Sequence, residues 1–101
     1  MKILLCCSGG FSSSIIAQAV IDAGKKQGKT VECRAVSSGN VENYLDGVQV
    51  VLMGPQEGYA KPKVEQVCKP LGIPVDIIEH RAYGFCDGEA VLKQAEALVN
   101  K

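Results

Sequence analysis

Short apolar runs that alternate with helical patterns are the feature that most limits what this chain can fold into. Residues 2–6 and 48–53 are almost continuously apolar, which is typical of strands buried on both faces. Residues 30–36 alternate in polarity and are β-branched at one end, so they are predicted as a further strand, and residues 75–78 are predicted as a fourth. Each predicted strand is followed by a segment whose apolar residues recur at helical spacing.

Those recurring residues predict four helices, the first of which ends near Gly28. The second follows a turn at 37–40 with a candidate N-cap, and a loop at 79–88 precedes the fourth. The predicted buried faces are Ile15, Ile16, Ala19, Val20 and Ala23; Val41, Tyr44, Leu45 and Val48; Val64, Val67, Cys68 and Leu71; and Val91, Leu92, Ala95, Leu98 and Val99.

The order β-α-β-α-β-α-β-α predicts one α/β domain, residues 1–101, with a four-stranded parallel sheet and helices on both faces. A chain of 101 residues has room for a single domain. In open parallel sheets, ligands bind beyond the carboxyl ends of the strands. We therefore expect the loops at 7–14, 54–59 and 79–88 to meet at one place.

The charge balance and the lengths of the apolar runs argue against a nucleic-acid-binding, membrane-spanning or secreted protein. Eleven basic residues offset eleven acidic ones, and no cluster of lysine or arginine breaks this balance, so we expect no nucleic-acid partner. No apolar run approaches the roughly 20 residues of a spanning helix, and the opening residues do not fit a secretory leader. We therefore expect a protein inside the cell that does not insert directly into a membrane. Its five cysteines are expected to be reduced.

The loop after the first strand combines a thiol with small residues. Cys7 comes directly after that strand, and six of the next seven residues are Gly or Ser. Backbone amides of such a loop, together with the N-terminus of the following helix, favour bound anions and a thiolate. The loop predicts a cysteine that attacks phosphorus and carries the phosphoryl group; the alternative is an ordinary turn with a buried cysteine.

Low-molecular-weight tyrosine phosphatases use a similar loop, in which an arginine follows the cysteine after five residues. Ser13 occupies that position here, and the arginines of the chain are Arg34 and Arg81. A phosphatase needs the guanidinium to bind phosphate and stabilise the transition state. Its absence favours transfer from an activated donor, such as a phosphohistidine, over hydrolysis.

Three segments together resemble the enzyme IIB component of the bacterial phosphoenolpyruvate-dependent sugar phosphotransferase system, lactose/cellobiose/chitobiose class. The similarity extends over essentially the whole chain. The segments are Cys7-Ser8-Gly9-Gly10-Phe11-Ser12-Ser13-Ser14; Gly54-Pro55-Gln56 followed by Tyr59; and Tyr83-Gly84 followed by Asp87-Gly88. Phe11 departs from the family, whose loops often carry Met there.

The resemblance implies a sheet of strand order 2-1-3-4, similar to that of the low-molecular-weight phosphatases. It implies that Cys7 takes a phosphoryl group from a histidine of the IIA component and passes it to a sugar of the cellobiose, lactose or chitobiose type, bound by the membrane IIC component. The loop Ser8–Ser14 would bind the phosphate, with no metal or other cofactor. We expect a cytoplasmic monomer that meets the inner face of the membrane through IIC.

Several residues keep two interpretations. Gln56, Tyr59 and Tyr83 could form a rim around the phosphocysteine or simply pack their loops, and Asp87 could be a general acid or the N-cap of the last helix. The other thiols are interpreted as core residues; they lack metal-ligand spacing, although Cys86 could pair with Cys7. The rival functions are a low-molecular-weight phosphatase or arsenate reductase, a cysteine hydrolase using His80, and a non-catalytic anion-binding sensor.

Overall fold

Four parallel strands form one sheet in the order β2-β1-β3-β4, as predicted. The structure is a computed structural model that describes residues 1–6 and 11–100, without the side chains of residues 11–13 and 38. The strands are β1 (Lys2–Cys6), β2 (Glu32–Val36), β3 (Val50–Met53) and β4 (Val75–Ile77). The central strands β1 and β3 are apolar and buried on both faces, as is typical of a parallel sheet, whereas β2 at the edge carries the exposed residues Glu32 and Arg34.

The register brings all four carboxyl ends to one edge of the sheet, which we call the carboxyl edge. Cys6 pairs with Val36 on one side and with Met53 on the other, and Met53 pairs with Ile77. The strands therefore end at the same level, so the segments that follow them start side by side.

Helices cover both faces of the sheet. They are α1 (Phe11–Lys26), α2 (Lys61–Cys68), α3 (His80–Gly84) and α4 (Gly88–Val99), with 3₁₀ helices at Ser38–Tyr44, Pro55–Ala60 and Lys69–Leu71. Within the described part of the chain, no helix has the length and apolar character needed to cross a membrane.

Two apolar clusters lie on opposite faces, because alternate strand residues point opposite ways. One face packs against α1, α3 and α4, and its buried residues include Ile3, Leu5, Val20, Leu52 and Leu92. The other face packs against α2 and the first 3₁₀ helix, and its buried residues include Leu4, Cys6, Val51, Met53 and Val64. The three-layer arrangement agrees with the prediction.

The buried face of α1 differs from the predicted one. Ile15 is 57% exposed, whereas Ala17 is buried in the core beside Ile16 and Val20. The buried stripe continues at Ala23, so the true face is turned relative to the predicted one by one position. The apolar spacing allowed both faces, and packing against the sheet and α4 selects one.

Two predicted helical segments are 3₁₀ turns instead. The segment after β2 is the 3₁₀ helix Ser38–Tyr44, and Ser37, which lies at its N-cap within the predicted turn, makes no side-chain capping bond. α2 ends at Cys68 and leaves Leu71 exposed, because Pro70 has no N–H to continue the helix. The predicted loop at 79–88 is also wrong in part, since it contains α3.

α1 and α4 approach so closely at Gly88 that no side chain fits there. A Cβ atom on Gly88 would lie 2.2 Å from the carbonyl oxygen of Ala19 and 2.8 Å from the backbone nitrogen of Val20. The first residue of α4 therefore packs directly on the backbone of α1, and this contact fixes the distance between the two helices.

Candidate functional site

The candidate site lies at the carboxyl edge, where β1 ends and α1 begins. β1 ends at Cys6 and α1 starts at Phe11, so the connection between them contains Cys7. Cys7 and the predicted loop residues Ser8, Gly9 and Gly10 lie outside the described residues. The described elements on either side of that connection are the end of β1 and the start of α1.

The N-terminus of α1 contributes a partial positive charge to this edge. The helix is 16 residues long, and its first turn contains no acidic residue. The first N–H groups of a helix have no partner within it, and the helix dipole adds to their attraction for anions. Lys25 and Lys26 in the last turn complement the opposite end. Among the predicted phosphate-binding residues, Phe11, Ser12, Ser13 and Ser14 all belong to the first turn of α1.

The turn after β3 is attached to the end of β1 by the backbone. The N–H of Gly54 donates to the carbonyl oxygen of Cys6 at 3.0 Å, and the N–H of Ile78 donates to Met53 at 2.8 Å. Both bonds continue the ladder one residue past the strands. The 54–60 segment thus lies next to the residue that precedes Cys7.

Gln56 and Tyr83, two of the predicted rim residues, converge on Gly54. A Cβ atom on Gly54 would lie 3.0 Å from Oε1 of Gln56 and 3.3 Å from Cε2 of Tyr83. Gly54 is itself buried. These two side chains, from segments far apart in sequence, therefore both lie beside Gly54, whose N–H binds the carbonyl of Cys6.

α3 is what brings Tyr83 to this position. The N–H of Tyr83 donates to the carbonyl of Glu79 at 2.9 Å, and Ala82 anchors the helix in the core. Phe85, directly after α3, is 79% exposed. A five-residue helix shows no periodicity in its sequence, which is why the prediction placed a loop here.

Sequence reasoning missed Glu57. Among the described residues, Glu57 is the charged residue that is buried in the core, with 2% of its surface exposed. It lies in the 3₁₀ helix that begins beside Gly54. Its N–H donates to the carbonyl of Gly54 at 2.9 Å, and Glu57 makes at least one further interaction. An acidic residue in the first turn of a helix is ordinarily exposed, so nothing in the sequence pattern signalled its burial.

Tyr59 does not join the cluster at Gly54. Its side chain is 78% exposed, and it lines a small cavity of about 190 Å³ together with Gly39 and Lys63. Tyr59 therefore faces the side of the molecule covered by α2 and the first 3₁₀ helix.

Asp87 caps α4. Its side chain accepts a hydrogen bond from the N–H of Ala90 at 3.2 Å, which confirms the N-cap interpretation. Asp87 also lines a cavity with Asp22 and Lys26 of α1. Asp22 is eleven residues past Phe11, about 16 Å along the helix.

The described thiols lie in the core or at its margin, as expected. Cys6 and Cys68 are buried, and burial raises the pKa of Cys33 to about 12. Burial, and secondarily the charge of Glu65, also raise the pKa of Cys68. A neutral, buried thiol is a poor nucleophile. No group of three or more His, Cys, Asp or Glu among the described residues could hold a metal ion.

Comparison with known proteins decides the family. The family model described as "PTS system, Lactose/Cellobiose specific IIB subunit" matches residues 2–94. The chain belongs to this family. It is therefore related to the IIB components of sugar phosphotransferase systems over nearly its whole length.

Individual IIB components show the same relationship. The chain is 34% identical over 103 residues to the galactose-specific EIIB component of Lactococcus lactis subsp. cremoris, and the alignment covers 97% of this chain and 95% of the relative. The cellobiose-specific EIIB component of Lactococcus lactis subsp. lactis gives the same identity and coverage. The solution structure of the cellobiose-specific IIB protein of Borrelia burgdorferi superposes with a TM-score of 0.80 at 34% identity, over 99% of this chain and 92% of that one.

Proposed function

We propose that this IIB protein is a phosphoryl carrier whose Cys7 accepts a phosphoryl group from a histidine of the IIA component. The group then passes to a sugar bound by the membrane IIC component. The observation that carries the proposal is the carboxyl edge, where β1 ends directly before Cys7, the N–H of Gly54 binds the last residue of β1, and α1 begins at Phe11.

The first transfer exchanges one bond to phosphorus for another. The Cys7 thiolate attacks phosphorus, the sulfur–phosphorus bond forms, and the bond to the imidazole nitrogen of IIA breaks. In the second transfer a sugar hydroxyl attacks phosphorus and the oxygen–phosphorus bond forms, the sulfur–phosphorus bond breaks with sulfur leaving as the thiolate, and the hydroxyl proton passes to solvent. The donor is already activated, so the carrier needs no nucleotide or metal.

The choice of Cys7 over Cys6 follows from burial. Cys6 is 1% exposed and belongs to the apolar cluster that packs against α2. A phosphohistidine on another protein has no access to a thiol in that position. The amides at the start of α1 would stabilise both the Cys7 thiolate and the phosphoryl oxygens, and Gln56 and Tyr83 would form one wall of the site.

Transfer is favoured over phosphatase or arsenate reductase activity by the placement of the arginines. The guanidinium of Arg34 lies over the ring of Tyr44, 4.6 Å from its centroid. Arg81 is exposed on α3. Neither residue belongs to the loop at 7–14, where a phosphatase keeps its phosphate-binding arginine.

The test is transfer of labelled phosphate from phosphorylated IIA to the purified chain. We expect label that iodine releases, because iodine cleaves the sulfur–phosphorus bond. Cys7→Ser should abolish the label, whereas Cys33→Ser and Cys86→Ser should retain it. Label on the Cys7→Ser variant would overturn the proposal, as would turnover of p-nitrophenyl phosphate at an ordinary enzymatic rate.

The sugar is proposed only as a class, a disaccharide or β-glucoside of the cellobiose, lactose or chitobiose type. Relatives named for galactose and for cellobiose are equally similar, at 34% identity. Membranes that contain the cognate IIC should remove label from phosphorylated Cys7 when the correct sugar is added. Retention of label with every sugar of this class would contradict the assignment.

We also propose that residues 1–101 act as one cytoplasmic, monomeric unit that reaches the inner face of the membrane through IIC. A single unfolding transition and a sedimentation mass near 10.7 kDa are expected. Two transitions, or a stable dimer, would contradict this organisation.

A further inference from the structure

Gln94 of α4 joins three parts of the chain that lead toward the candidate site. Its Nε2 donates to the carbonyl of Ile77 at 2.7 Å and to Oδ2 of Asp76 at 3.2 Å. Its Oε1 accepts from the N–H of Glu79 at 3.2 Å. The amide group of one side chain therefore donates hydrogen bonds to two residues of β4 and accepts one from Glu79, the residue directly before α3.

Glu79 is held on both sides of its backbone. Its N–H is bound by Gln94, and its carbonyl accepts the N–H of Tyr83 at 2.9 Å. The Tyr83 ring then lies against Gly54, whose N–H binds the carbonyl of Cys6. A continuous series of contacts thus runs from α4 to the end of β1.

We propose that Gln94 is a positioning residue for phosphoryl transfer, acting through α3 to hold Tyr83 against Gly54. The inference rests on the proposed function of the site. α3 has only five residues, too few to be stable alone, so its orientation depends on its contacts with the rest of the chain: the burial of Ala82 in the core and the bonds at its first turn. Gln94 supplies the side-chain bond at that turn, and Asp76 holds the Gln94 amide in place.

A purely structural role for Gln94 makes a different prediction. If Gln94 only stabilised α4 or filled space, a residue of similar size and helix propensity would replace it without moving Tyr83. Gln94→Met keeps the length of the side chain and removes all its hydrogen bonds. Gln18→Met is the matched control, because Gln18 on α1 is exposed and bonds only to Asp22 Oδ1 of its own helix, at 3.0 Å, among the described contacts.

The first readout is the NMR shift of the Gly54 α-hydrogen that faces the Tyr83 ring. The ring current of Tyr83 gives this hydrogen a distinctive shift, and Tyr83→Leu measures its size and sign. We expect Gln94→Met to move the shift toward the Tyr83→Leu value, while Gln18→Met leaves it at the wild-type value. An unchanged shift in Gln94→Met would overturn the proposal.

The second readout is the rate of phosphoryl transfer from phosphorylated IIA. We expect Gln94→Met to slow the transfer by about threefold to tenfold at saturating donor, since couplings through such networks reach about that size. A normal rate together with a displaced Tyr83 would overturn the role in transfer. If Gln94→Met fails to fold, Asp76→Asn weakens the same series more gently and should shift both readouts in the same direction; wild-type values would overturn the proposal.

The two readouts also separate this inference from the proposed function. Failure of the proposed function appears as unlabelled Cys7 in the wild-type protein, whatever the state of Gln94. Failure of the inference appears as wild-type transfer by Gln94→Met, or as an unmoved Gly54 signal, in a protein whose Cys7 is labelled normally.

Discussion

The N–H of Gly54 donates to the carbonyl oxygen of Cys6 at 3.0 Å, joining the turn after β3 to the end of β1. This bond lies one residue before Cys7, and it is made by main-chain atoms alone. Gln56 and Tyr83 meet at the same glycine. The backbone therefore sets where the side chains of the candidate site gather, and side chains from two segments complete it.

Replacing Gly54 by alanine should disturb the site more than the fold. The backbone of Gly54 has φ −61° and ψ 147°, which alanine adopts without strain, but the new Cβ would meet the Tyr83 ring at 3.3 Å. We expect Gly54→Ala to lower the free energy of unfolding by about 1–2 kcal/mol, as small overpacking changes do. We also expect slower phosphoryl transfer, measured with phosphorylated IIA.

Gly39→Ala is the control for that variant, because the nearest described atom to a Cβ there is the Ser37 hydroxyl oxygen, at 3.9 Å. Its urea midpoint and transfer rate should match those of the wild type. Equal transfer by Gly54→Ala and wild type would show that the contact with Tyr83 has no part in the reaction.

Replacing Gly88 by alanine should be much more damaging. The new Cβ would lie 2.2 Å from the carbonyl oxygen of Ala19, a backbone atom that cannot rotate away. α1 and α4 would have to separate, so we expect a loss of more than about 3 kcal/mol of unfolding free energy. Chemical denaturation measures this loss, and a change below about 1 kcal/mol would contradict the observed helix contact.

Asp87 offers a test that separates capping from catalysis. Asp87→Ala removes the acceptor for the Ala90 N–H, and we expect it to cost about 1 kcal/mol of stability. Asp87→Ser restores an N-cap without a carboxyl group, and should recover most of that stability. Both variants should transfer the phosphoryl group normally. Loss of transfer in the stable Asp87→Ser variant would instead support an acid role.

Cys33 predicts a loss of stability at alkaline pH. Its pKa is about 12 in the folded chain and 9.0 as a free thiol, so the unfolded state ionises first as pH rises above 9. The contribution of Cys33 to stability is complete below pH 9 and falls between pH 9 and 12. At pH 10 the free energy of unfolding is lower than at pH 8 by about 1 kcal/mol from this residue.

Urea denaturation at pH 8 and pH 10 measures this effect. Cys33→Val should lose less stability between the two values than the wild type does, since valine has no proton to release. Cys86→Ser, which leaves Cys33 in place, is the control and should follow the wild type. Equal losses of stability between pH 8 and pH 10 in the wild type and in Cys33→Val would show that Cys33 ionises in the folded chain as it does in the unfolded one.

The strands were predictable because their signal is local. β1 and β3 are apolar on both faces, so their burial and parallel pairing follow from the sequence almost alone. α3 was missed because five residues carry no period, and its helical form depends on Ala82 in the core and Gln94 at its start. The exposure of Ile15 likewise depends on which side of α1 meets the sheet.

The sequence predicts which loops form the candidate site, but it does not predict which of their side chains come into contact. The carboxyl-edge rule located Gln56 and Tyr83 at one end of the sheet, but their meeting at Gly54 depends on the orientation of α3. The burial of Glu57 depends on the path of the 3₁₀ helix after Gly54, which no spacing in the sequence encodes. Such contacts join distant segments and are settled by packing.

Three large apolar side chains are exposed on, or directly after, elements that start from the carboxyl edge: Ile15, Tyr59 and Phe85. Each lies outside the core, so substitution there costs the fold little. Related chains can therefore exchange these residues one at a time while the register of β1 and β3 stays intact. The residues available for contacts with other molecules can therefore change without altering the residues that determine the fold.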